Sequence, residues 1–379
     1  MRSLGPVLLA LTVAVSSVHA KGGGPLPGLT AAQLAEFTEG FDAFRHQLSQ
    51  GEGLGPAFNG ARCYLCHSNP ALGGQSTRSR AVVTRFGRMN GGSFDPLAAR
   101  GGSLLQHKAI SAECAEVVPP EANVVIQRVV TSTFGAGLVE AIPDQQIIDR
   151  ATAEQAANAA WAGRVHMVTS VSDGRRHVGR FGWKANNALI IDAVGDAMLN
   201  ELGLTNALFP TETAPNGDLG LLAQCDAVPD PEDKADFLNK LTRLLRYLGR
   251  PAAPSRVNDV SLQGEALFHS IGCAFCHYGG YTAVSPIAAI DGQSVEIYSD
   301  LLLHDIGTGD GVVQGDAQGN EFRTPPLWVG MKHPYLHDGR VRSIPDAVDA
   351  HHGQAQDVRD AFFALSTAEQ AAIVRFLKR

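Results

Sequence analysis

Apolar residues recur at three- and four-residue spacing from Ala31 to Leu48 (Leu34, Phe37, Phe41, Phe44, Leu48), which predicts a helix with Thr30 as its N-cap. Helical patterns follow over 144–162, 187–201 and 230–248. Between the first two helical stretches, the β-branched run Val124–Val130 reads as a short strand or extended segment. A further helix is predicted over Ser261–Ile271, and loops dominate from Tyr278 to Tyr335. Ser343 with Pro345 opens a helix through His351, and Ser366 with Glu369 forms a capping box before a last helix ending near Lys378. The segment Gly249-Arg250-Pro251-Ala252-Ala253-Pro254-Ser255 breaks the pattern and divides the chain into regions 21–250 and 256–379. Each region has a helix leading into a cysteine motif, so one design is used twice, in copies too divergent to be a close repeat.

The N-terminal stretch 1–20 departs from this pattern. It carries one charge, Arg2, then an apolar run from Gly5 to Val15, and small residues up to Ala20. That order is the signature of a cleaved signal peptide, and the run is short for a membrane span. An exported, periplasmic protein with no membrane span is the expectation. The whole chain has 31 Lys and Arg against 38 Asp and Glu, and cleavage removes only Arg2, leaving a charge of −8. Such a balance with no basic cluster excludes nucleic acid as a natural partner.

Cys63-Tyr64-Leu65-Cys66-His67 and Cys273-Ala274-Phe275-Cys276-His277 both spell C-x-x-C-H, the attachment signature of c-type haem. Two thiols three positions apart reach the two vinyl groups of one porphyrin, and the adjoining His offers its imidazole to the iron. A redox dithiol or a zinc site would usually lack that His. Two covalently bound haem c groups are therefore expected, with Cys63, Cys66, His67, Cys273, Cys276 and His277 holding them. Cys114 and Cys225 remain, either as a disulfide or as two buried thiols.

Function turns on the far side of each iron, because two strong ligands make an electron carrier and an open position permits chemistry. For the second haem His351 is favoured, with His352 and Met331 as rivals. For the first, His107, His166, His177 and Met89 are candidates, and an open position is equally consistent.

The stretches Gly53–Gly74, Gly179–Pro210, Tyr298–Gly309 and Phe322–Gly353, with the paired C-x-x-C-H motifs, resemble the bacterial di-haem cytochrome c peroxidase superfamily. The similarity is greatest to its di-haem oxidoreductase, thiol oxidoreductase-like branch, and covers nearly all the mature chain. It implies a mainly α fold of two cytochrome c-like haem domains, the first enlarged by insertions between Ser76 and Leu248, with little regular sheet. It also implies that His351 stands where the peroxidases use Met as second ligand, that Glu201 is the catalytic carboxylate, and that Trp183 (or Phe181) relays electrons between the haems. The peroxidases' resting-state His has no counterpart before Arg128. Their interdomain calcium would use carbonyls near Lys332 and Pro334, but the accompanying Asn is replaced by Val129. The resemblance implies an enzyme taking electrons from a small redox partner protein at the C-terminal haem and reducing hydrogen peroxide at the N-terminal haem. A di-haem electron carrier, or an enzyme oxidising a thiol or protein substrate, are the other readings.

Overall fold

The computed structural model describes residues 23–75, 82–251, 257–328 and 334–378. The expected signal peptide, Met331, Lys332 and the Ala252–Ser255 segment lie outside them. Among the described residues no helix is long and apolar enough to cross a membrane.

Helix is the main regular structure. α1 (Ala31–Arg45) starts at a capping box in which Thr30 Oγ1 accepts from Gln33 N at 3.2 Å and Gln33 Oε1 accepts from Thr30 N at 2.9 Å. It is followed by α2 (Ala136–Glu140), α3 (Asp144–Ala157), α4 (Ile190–Leu202), α5 (Leu219–Cys225) and α6 (Asp236–Tyr247). Beyond the 250s come α7 (Asp259–Ser270), α8 (Ile344–Asp349), α9 (Gln356–Ala364) and α10 (Thr367–Leu377). Several helices are shorter than their apolar patterns suggested, and α1 ends at Arg45 and α8 at Asp349. α3 stops at Asn158, α4 starts after Leu189, and α6 starts only at Asp236, because the residues before it are engaged in a loop. The Ser366–Glu369 capping box forms as expected, and Ser343 Oγ caps α8.

In each half, the helix before the cysteine motif packs on the helix that closes that half, with a glycine at the contact. Gly40 of α1 lies against α6, where a Cβ would come within 2.5 Å of Lys240 O. Gly264 of α7 lies against α10, where a Cβ would come within 2.0 Å of Ala372 O. No larger residue fits at either crossing, so backbone approach fixes the pose of both helices. Each then delivers its C-x-x-C-H segment as a short 3₁₀ turn, Cys63–Leu65 and Cys273–Phe275.

Sheet is confined to small pieces. The largest occupies the enlarged first half: Val82–Asn90 pairs antiparallel with Ser93–Asp95, Leu104–Leu105 and Val124–Val129. The Val124 run is thus a strand, and its nine-residue partner carried no recognisable sequence signal. Cys114 and Cys225 form a disulfide that spans 111 positions and ties this insertion to the end of α5.

The main core is continuous across the break in the 250s. Leu26, Phe44, Leu138, Ile190, Leu244 and Leu248 share one buried cluster with Tyr281, Ile290, Ile297, Leu302 and Trp328. A smaller cluster of Phe268, Tyr298, Phe362, Ile373 and Phe376 lies beside Cys273.

Candidate haem sites and the cavity beside His67

In the second half, His277 and His351 face each other with ring centroids 6.5 Å apart. Two imidazoles bound to opposite sides of one metal, each by a nitrogen at about 2 Å, would have centroids roughly 6–6.5 Å apart. Each ring is oriented by its other nitrogen: His277 Nδ1 donates to Tyr298 O at 3.0 Å, and His351 Nδ1 donates to Ala347 O at 2.6 Å. Both Nε2 atoms are thereby left as ligands, the arrangement metal-binding histidines adopt. Burial pushes His277 down to about 4 and lowers His351 as well, so both are neutral, the form that binds metal. His351 follows α8 directly, beyond the Ala350 cap. Its neighbour His352 is exposed and paired with Gln356, which sets that rival aside.

In the first half, His67 is half-buried, and desolvation of its ring lowers its basicity to about 4. It opens onto a cavity of about 340 Å³ with Cys63, Cys66, Asn59, Arg85, Trp183 and Glu201 in its wall. The four cysteines of the motifs are not in disulfides. Burial pushes Cys63 and Cys273 up to about 12, Cys66 to about 11, and Cys276 upward too. A redox dithiol needs a stabilised thiolate, so these pairs do not fit that role. Neutral, paired thiols beside a ligating His fit haem attachment. Arg62, the residue before the first motif, has a buried Nε without a protein partner in the same wall, a donor suited to an acidic edge of the cofactor.

Glu201 lies in the last turn of α4, with its carboxylate at the cavity. Burial raises its pKa, while a hydrogen bond from Asn59 and the charge of Arg85 oppose the rise. Asn59 Nδ2 donates to Glu201 Oε2 at 2.8 Å, and the amides of Asn59 and Gly60 donate to Glu201 O at 2.8 and 3.1 Å. The residues leading into the first motif are therefore sewn to the end of α4. Asp196, one and a half turns earlier, is also raised by burial and is held by Asn200. A second, polar cavity of about 590 Å³ shares Arg85, Asn186, Asp196 and Gln314 with the first and gives it a hydrophilic flank. Sequence reasoning missed Asn59, Arg85 and Asp196, and only Asn59 gave a signal, its place just ahead of Cys63.

The candidate distal ligands of the first haem are placed elsewhere. His107 is bonded to Thr84 Oγ1. His166 is buried between Lys184 O and the amide of Asp316, with both ring nitrogens engaged. His177 sits between Asp144 and Asp173, and Met89 lies on the long strand beside Phe94. None of the four lines the cavity. The three histidines are set aside by their local bonding, and Met89 by its place on the strand away from the cavity wall. Among described residues His67 is the cavity's only histidine, and Met198, buried in the core, its only methionine.

Trp183 also lines this cavity, where the halves meet. Its Nε1 donates to Val129 O at 2.7 Å, and its carbonyl accepts from Arg323 N at 2.9 Å. His337 lies edge-on to it at 6.3 Å and stacks on Phe322 at 4.0 Å. Phe181, the other relay candidate, is in the same wall. Near the second motif, Asp300 and His304 form a buried pair at 2.8 Å beside Cys276 Sγ. The pair lies in one of the stretches that carry the resemblance, and sequence reasoning did not single it out.

Residues 112–379 match the family model described as "Di-haem oxidoreductase, putative peroxidase". No curated protein matches the chain. Among solved structures, a hydrazine synthase of Kuenenia stuttgartiensis is similar at 14% identity, covering 99% of each chain with a TM-score of 0.39. The diheme peroxidase BthA of Burkholderia thailandensis is similar at 12% identity, covering 90% of this chain and 85% of its own, with a TM-score of 0.39. A MauG-like protein associated with microbial copper homeostasis is similar at 16% identity over 65% of this chain and 88% of its own, TM-score 0.32. Likeness at that level is too slight to assign a role.

Proposed function

Because the chain belongs to the di-haem oxidoreductase family, we propose that it is a periplasmic enzyme with two covalently attached c-type haems that reduces hydrogen peroxide with electrons from a small donor protein. Cys273, Cys276, His277 and His351 would hold the C-terminal haem and Cys63, Cys66 and His67 the N-terminal one, and the two groups, when bound, would supply the redox chemistry linking the electron donor to peroxide.

The chain's own part is proton management and access. Glu201 is the one carboxylate in the cavity wall whose oxygen is tied to the haem-attachment loop, through Asn59. With Oε2 fixed, Oε1 takes a proton from one peroxide oxygen and returns it to the other as the O–O bond breaks, while two electrons from the donor and two protons from solvent complete the reduction to two waters. The charge of Arg85 favours the ionised carboxylate and so opposes the rise that burial causes. The polar second cavity gives a small, hydrophilic oxidant a route to the site. Trp183, bonded to segments from both halves, is the relay.

The observation that supports an enzyme over an electron carrier is the composition of the first cavity, in which His67 has a carboxylate, a guanidinium and an amide near it and no second histidine. The test is peroxide-dependent oxidation of a reduced small electron donor by haem-loaded protein, followed by stopped-flow absorbance. Turnover well above that of free haem is expected. Rates no greater than free haem, with both irons inert to cyanide, would instead mark an electron carrier.

A further inference from the structure

We propose that Glu212, Asp230 and Glu232 form a binding site for a hard divalent cation, calcium in preference to magnesium. Their ligand oxygens all lie within 4.8 Å of one another. Two oxygens on one calcium, each at about 2.4 Å, lie at most about 4.8 Å apart, so one ion spans the set. The second observation is Glu212 itself. Its side chain is 8% exposed, and its Oε2 is buried with no hydrogen-bond partner. A buried carboxylate oxygen without a donor costs stability unless a charge meets it. The charged groups acting on Glu212 are Glu232, Asp230 and Asp226, all acidic.

The donor set is all oxygen, without His or Cys, which selects calcium or magnesium over zinc. Carboxylates drawn from two loops, one on each side of α5, suit the irregular calcium sphere better than the strict magnesium octahedron. The position lies far along the chain from the interdomain carbonyls near Pro334. Thr205 Oγ1 is hydrogen-bonded to Asp230 Oδ1 at 2.5 Å and also meets Glu232 Oε2, which accepts from Thr205 N at 2.7 Å. Thr205 follows the end of α4 by three residues. A cation here would therefore clamp the exit of the helix that carries Glu201.

Haem-loaded protein stripped with EDTA should be titrated calorimetrically with calcium chloride alone, and separately with magnesium chloride, at neutral pH. Calcium is expected to bind and to raise the melting midpoint by at least about 3 °C. Glu212→Gln removes one charge from three clustered carboxylates, so it should melt at or above the stripped wild type yet bind calcium at least tenfold more weakly. Asp230→Asn should weaken binding too, with haem spectra intact. No calcium heat and no midpoint shift in the wild type would overturn the proposal. So would calcium binding in Glu212→Gln as tight as in the wild type, which would put the ion elsewhere, and equal affinity for magnesium would overturn the calcium preference.

Discussion

Asn59 Nδ2 donates to Glu201 Oε2 at 2.8 Å across 142 positions of sequence. One short bond thus couples the segment that presents the first cysteine motif to the carboxylate at the end of α4. Asn59 lowers the pKa of Glu201 against burial, so removing the amide should move that pKa upward. If the ionised carboxylate initiates peroxide reduction, Asn59→Leu should shift the acid limb of the kcat/KM profile to higher pH. An unmoved limb would separate Asn59 from the proton step.

Glu201→Gln keeps the shape and the Asn59 contact but cannot exchange a proton. Peroxide turnover should fall by about 100-fold or more, with both haem spectra unchanged. Stopped-flow rates close to those of the parent protein would remove Glu201 from the mechanism.

The 6.5 Å separation of His277 and His351 predicts two imidazole ligands at the C-terminal haem. His351→Met should raise the potential of that haem alone, by on the order of 0.1 V or more, since axial ligands set haem potentials over about 0.8 V. Spectroelectrochemistry would detect the shift, and an unchanged potential would mean that His351 is not a ligand.

The Cys114–Cys225 disulfide closes a loop of 111 positions. The chain-entropy model gives at most about 5 kcal/mol for such a loop. Replacing both cysteines with serine should lower the melting temperature and leave the haem spectra in place. Calorimetry that found no change would show the insertion to be held by its packing alone.

Arg128 and Asp310 are each about 5% exposed and are joined by bonds of 2.7 and 3.1 Å, with Gln314 completing the contact. Burial would raise the Asp310 carboxyl, but the Arg128 hydrogen bonds and charge outweigh it and hold it below its ordinary value. Because the folded pKa is depressed, the stabilisation is present above the unfolded value of 3.8 and is lost as pH falls through the folded one. Arg128→Met strands the carboxylate and should cost about 3–5 kcal/mol, whereas Arg128→Met with Asp310→Leu should recover much of it. Denaturant titration of the two variants decides this, and equal losses in both would refute it.

The chemistry that must be local was legible in the sequence. Porphyrin attachment needs two thiols and an imidazole on one turn, so Cys63–His67 and Cys273–His277 declare themselves by spacing. The capping boxes at Thr30 and Ser366 are legible for the same reason. His351 was favoured from its place at the end of a helix just before Gly353, and the resemblance strengthened that choice over His352, because its partner lies 74 positions away. Arg85 and Asn59 meet Glu201 only through tertiary approach, which no periodicity records. The strand Val82–Asn90 has one face half-covered and a glycine at 87, so its alternation is blurred. His166 shows the opposite failure: a residue with ligand chemistry whose two nitrogens are occupied by ordinary backbone groups.

The shared cluster that unites Leu248 with Ile297 and Trp328 has a practical corollary for engineering. A chain severed in the 250s should persist as two fragments that co-purify when expressed together. Either fragment alone would expose a broad greasy wall and precipitate. The two candidate haem sites are therefore mounted on a common chassis, and neither half should be transplantable as a self-sufficient module.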